Sequence, residues 1–116
     1  MPLVNTTWTG DVTSITTGGV ETPPPNPFSI LFSTESSDLS FLSGTFKLGL
    51  ASVPFSAIRD GRELSLTAAG YIIKADIYGG GVRYKKGVAT PIPATMMIKG
   101  KNVTDGSMFE GTLAKQ

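Results

Sequence analysis

The chain of 116 residues predicts an all-β fold, a single antiparallel up-and-down meander closing into a small barrel of roughly eight or nine strands. Two observations predict it. Apolar and polar residues alternate in run after run, and short turn signals separate the runs. A third observation, a glycine-centred phrase at the start, middle and end of the chain, favours a barrel over the alternative, a two-sheet β-sandwich. The phrase is "WTGDV" at Trp8–Val12, "LSGTF" at Leu42–Phe46 and "FEGTL" at Phe109–Leu113. In each copy the glycine falls on the apolar side, where it lets a strand bend sharply, as a tightly curved small barrel requires.

The runs justify themselves in order. Trp8, Gly10 and Val12 oppose Thr9, Asp11 and Thr13; Phe28, Ile30 and Phe32 alternate with Ser29, Leu31 and Ser33. Leu42, Gly44, Phe46, Leu48 and Leu50 oppose Ser43, Thr45 and Lys47, and Val53, Phe55 and Ala57 follow. Leu64 and Leu66 are set against Glu63, Ser65 and Thr67, and Tyr71, Ile73, Ala75 and Ile77 against Lys74 and Asp76. Met96 and Ile98, then Phe109, Gly111 and Leu113, complete the series. Period-two alternation of this kind marks half-buried antiparallel strands. Between the runs, Asp60-Gly61 is a tight hairpin signal, and "YGGG" a turn leading to a short strand that ends at Gly87. "TPIP" at Thr90–Pro93 is expected to block regular pairing, since proline brings no N–H to a ladder. The long connection Gly18–Pro27 is proline-rich and stiff. Residues 1–116 are read as one domain, a length that buries a single modest core.

Composition restricts the chemistry. Cysteine and histidine are both absent, which removes disulfides, thiolate nucleophiles, Cys/His zinc sites and imidazole acid–base catalysis. The net charge of +1 lacks the strongly basic face of a nucleic-acid binder, so no nucleic acid is expected as a partner. Charge is unevenly spread: residues 1–58 set Asp11, Glu21, Glu35 and Asp38 against Lys47, and nearly all the basic residues follow. No apolar run is long enough to span a bilayer as a helix. The location is left open, with an extracytoplasmic, periplasmic or secreted setting favoured.

Ionisable groups are read on the same faces. Asp11 and Glu110 flank two of the repeated glycines, but alternate onto the polar, outward side. Glu35 and Asp38 in "STESSDLS" lack calcium-loop spacing and are expected in an exposed loop. Lys74 and Asp76 are the mid-strand charges that a barrel enzyme would have to use. "VRYKK", Val82–Lys86, interleaves aromatic and basic residues and reads as an exposed basic hairpin.

A Trp early in the first strand ("TTWTGDV"), a long first loop and "LSGTF" within a meander resemble the calycin group of barrels, the lipocalins and avidins. Avidin-like chains are similar in size, lack an essential helix and use a Gly-Thr-aromatic phrase within a strand. The resemblance implies a closed barrel and casts Trp8 as a plug packing one end of it. The residues themselves read as a non-enzymatic binding module, for a small apolar ligand at the barrel mouth or for a protein partner. The ligand version places Phe28, Phe32, Leu42, Gly44 and Phe46 at the site, under the Pro23–Pro27 loop, with openings at Gly44 and Gly111. No cofactor and no metal is expected. The alternative is a structural subunit of an oligomeric viral or cell-surface assembly, for which exposed Leu31, Ile58, Ile72 and Met97 supply apolar surface on a homo-oligomer interface.

Overall fold

A computed structural model describes residues 2–15 and 26–116. Among these residues ten strands form: β1 Thr7–Ile15, β2 Asn26–Glu35, β3 Phe41–Leu48, β4 Ala51–Asp60, β5 Glu63–Ala68, β6 Tyr71–Gly79, β7 Val82–Lys85, β8 Val88–Pro91, β9 Ala94–Asn102 and β10 Met108–Lys115. Eight of them close a barrel in the order β1-β10-β9-β6-β5-β4-β3-β2, every neighbour antiparallel, with β1 also paired to β2. The fold is therefore an up-and-down barrel, interrupted once, between β6 and β9, by the separate two-stranded hairpin β7-β8. Among the described residues there is no helix, and so none long and apolar enough to cross a membrane.

The inward alternation produces the core. Trp8, Val12, Phe28, Ile30, Phe32, Leu42, Phe46, Phe55, Leu64, Leu66, Ile73, Ile77, Met96, Ile98, Phe109 and Leu113 are all buried, joined by Leu3, Ala57 and Ala75. Leu48, also expected inside, is half-buried because it ends β3 beside the turn at Gly49. Leu31, Ile58, Ile72 and Met97 are exposed, as the alternation requires.

The repeated glycines sit where strands approach too closely for any side chain. A Cβ on Gly44 would lie 1.9 Å from the Leu31 carbonyl oxygen. On Gly10 it would lie 2.3 Å from the Thr112 oxygen, and on Gly111 2.3 Å from that of Asp11. Gly10 faces Leu113 and Gly111 faces Val12 across the β1–β10 pair, so two copies of the phrase form the seam that closes the barrel. The third lies opposite Phe32, next to a β-bulge between Phe32 and Thr34 that bends β2. Space for a bulky neighbour is made instead at Gly100, over which the Phe109 ring lies.

Two turns differ from expectation. The Asp60-Gly61 signal forms a hairpin, but its central pair is Gly61-Arg62, between the paired residues Asp60 and Glu63. The "TPIP" segment does pair in part: Pro91 ends β8 opposite Val82, an edge position that needs no N–H.

Candidate interaction site

The barrel has two ends of different construction. At one end, residues 2–6 fold across the opening and bury Leu3 completely. The Glu35 carboxylate holds this segment, accepting from the Leu3 N–H at 3.0 Å and the Val4 N–H at 3.3 Å, with an Arg59 guanidinium nitrogen 3.8 Å away. Trp8 is buried beside it, its indole N–H donating to Thr6 Oγ1 at 3.1 Å, while the Thr6 hydroxyl donates to the Leu3 carbonyl. The expectation that Glu35 lies in an exposed loop is thereby corrected: its side chain is 3% exposed. The bulge in β2 is the cause. One extra residue after Phe32 inverts the in/out parity, so Glu35, opposite the inward Leu42, turns inward. Asp38 is exposed as expected, and three donors from Ser36 and Ser40 hold its carboxyl down from the ordinary 3.8 to about 2.

At the other end the aromatic rings pack on one another. Phe28 stacks on Phe46 at 5.6 Å and meets Phe109 at 5.8 Å, and Tyr71 sets its edge against Phe46 at 5.4 Å. The five expected ligand residues are thus divided. Phe28 and Phe46 belong to this aromatic end; Leu42, paired with Glu35, belongs to the closed end. Phe32 lies opposite Gly44 between them, its ring edge-on to Phe55 at 5.7 Å. Phe28, Phe32, Leu42 and Phe46 are all buried, and the spaces beside Gly44 and Gly111 are taken by neighbouring backbone. The rim expected at Pro23–Pro27 lies, from Pro23 to Pro25, outside the described residues.

The most exposed structure is the hairpin β7-β8, which projects from the closed end where β6 stops and β9 begins. Its strands pair with each other, and every residue of both is exposed. The turn is Lys86-Gly87, both with positive φ (51° and 79°), the geometry of a two-residue type I′ hairpin. Cross-strand pairs share a face, so Val82, Tyr84, Ala89 and Pro91 make one side of the arm. Arg83, Lys85, Val88 and Thr90 make the other. Tyr84 is 74% exposed. A two-stranded ribbon with neither face covered is at best marginally stable alone, so the barrel anchors this one by both ends.

Comparison with protein-family models, with curated proteins and with solved structures finds no match. The site therefore has to be read from its own geometry.

The outer wall has a pattern that only the register discloses. One row running around the barrel is Asp11–Thr112–Met97–Asp76–Glu63–Asp60, crossing from β1 through β10, β9, β6 and β5 to β4. It holds four carboxylates and no base, and among the described residues none of the four has an ion-pair partner. The adjoining row holds Glu110, Lys99, Lys74 and Ser65, with the Lys74 ammonium donating to Ser65 Oγ at 2.7 Å. Between β6 and β10 the wall is dished into an open groove of about 400 Å³, lined among others by Lys74, Asp76, Tyr78, Met97, Lys99 and Glu110. Asp11 and Glu110 are exposed on the outside, as the alternation predicted.

Proposed function

We propose that this protein is a non-enzymatic binding module, a calycin-like barrel that presents the β7-β8 arm to a protein partner. The observation that carries the reading is the arm's uncovered apolar side, Val82, Tyr84, Ala89 and Pro91. A chain gains nothing in its own stability from extending such a ribbon, whereas an exposed edge and an aromatic anchor are what strand-mediated recognition uses. A protein partner is favoured over a small apolar ligand because the inward aromatics already satisfy one another. The calycin-type assignment rests on the eight-stranded meander and the buried Trp8 near the start of β1.

The test is a photoreactive amino acid at position 84 in the full chain, expressed in the source cells. Covalent adducts between the arm and a protein are expected on illumination. Their absence, with the same residue at position 84 remaining accessible in the purified chain, would remove the reading.

A further inference from the structure

We propose that the partner of the arm is a second copy of this chain, and that the arm's basic side docks on the acidic row of the neighbouring barrel. This rests on the preceding reading of the arm as the binding element and names its occupant.

The near-neutral total conceals a separation. Residues 82–91 contain Arg83, Lys85 and Lys86 and no acidic residue, so the arm carries three positive charges. The remainder of the chain holds seven basic residues against nine acidic ones, a net of two negative charges. The negative charge is not diffuse. Asp76, Glu63 and Asp60 stand opposite one another on three adjacent strands, without ion-pair partners among the described residues. Like charges directly opposite one another repel. Lys74, two residues before Asp76 on the same face, donates to Ser65 Oγ at 2.7 Å and, among the described residues, forms no ion pair with the three.

The dimensions agree. Adjacent strands are about 4.8 Å apart, so the three carboxylates extend over roughly 10 Å. Arg83 and Lys85, two residues apart on one face of β7, are spaced by about 7 Å, and Lys86 at the turn lengthens the basic stretch. The groove beside Asp76 is lined also by Lys74, Lys99 and Glu110 and so has mixed charge, which leaves the row itself as the counter-surface for the basic side of the arm. The arm leaves the barrel at the end of β6, three residues beyond Asp76, and shares no residue with the row. Contact between copies joins these two unlike patches, which closes as a pair where it is reciprocal and repeats from copy to copy where it is head-to-tail.

Sedimentation velocity on the full chain over a concentration series tests this. At low salt, species larger than a monomer should grow with concentration and dissolve at about 0.5 M NaCl, where charge attraction is screened. Two charge-reversed variants follow: R83E with K85E in the arm, and D60K with E63K in the row, all at exposed positions. Each alone should associate at least about tenfold more weakly than the parent, with its melting temperature unchanged. Their equal mixture should recover the association, because the reversed arm of one then meets the reversed row of the other. A parent chain that stays monomeric at low salt, or a mixture that does not recover, overturns the proposal. So does an arm that captures a labelled single-stranded oligonucleotide while the chain remains a monomer. If the monomeric result coincides with position-84 adducts to a different protein, the arm remains a binding element and only the self-docking fails.

Discussion

The barrel and the arm are made of the same alternating strands, yet one buries its apolar side and the other leaves it in water. In the barrel each strand has two hydrogen-bonded neighbours, and its inward side chains meet those of the opposite wall. In the arm each strand has one neighbour, and neither side has anything to meet. Alternation therefore creates a core only when closure brings several apolar faces together. A pair of strands with the same pattern remains a surface. The first region holds the buried core, and the second holds uncovered apolar surface.

The largest effects that would break this contrast are core truncations. Trp8→Ala and Phe46→Ala should each cost about 3–5 kcal/mol in denaturant unfolding, because each vacates a fully enclosed site. Tyr84→Ala, or replacement of residues 82–91 by a short Asn-Gly turn, should leave unfolding within about 0.5 kcal/mol of the parent. A large loss from the arm variants would show that the arm holds the barrel together.

A smaller effect separates the two uses of glycine. Gly44→Ala should destabilise by about 1–3 kcal/mol, since its Cβ would collide with the fixed Leu31 carbonyl and the strands must part. Gly81→Ala, at the base of the arm, meets no neighbouring atom; its φ of 77° leaves only a local backbone strain of about 1 kcal/mol. Thermal melts of the two variants side by side would sharpen the distinction between a packed wall and a free ribbon.

The smallest effect is acid dependence at the Asp38 turn. The folded-state carboxyl titrates at about 2 against 3.8 unfolded, because Ser36 and Ser40 donate to its ionised form. Its contribution is fully present above 3.8 and is lost as pH falls through 2. Carboxyl NMR titration should place the Asp38 midpoint near 2, and Ser40→Ala should move it upward. A midpoint near 4 would mean that the turn is not formed in solution.

Much of this architecture was legible in the sequence because period two is a local property. Phe28, Ile30 and Phe32 declare their side of the strand whatever lies across from them, and Leu31 declares the other. The glycines of the repeated phrase fall on the inward side for the same reason, opposite Leu113, Val12 and Phe32. Glu35 was not legible. A single bulge residue reverses the parity beyond it, and nothing in "FSTESSD" says where the extra residue falls. The closing segment at Leu3 was equally hidden, because its burial depends on a carboxylate far along the chain.

The arm and the acidic row divide along the same line. "VRYKK" showed in the sequence as basic and exposed, but its lack of any partner wall appeared only when β6 and β9 paired across it. Asp11, Glu63 and Asp76 are dispersed in the chain and signal nothing locally. Strand register, set by the closure of the whole barrel, brings Glu63 opposite Asp76 and carries the row around to Asp11. By itself the sequence determined which side of each barrel strand faces inward, except beyond the β2 bulge, since that follows from neighbouring residues. The tertiary structure alone decided which charges stand together, since cross-strand neighbours are chosen by the register of the closed sheet.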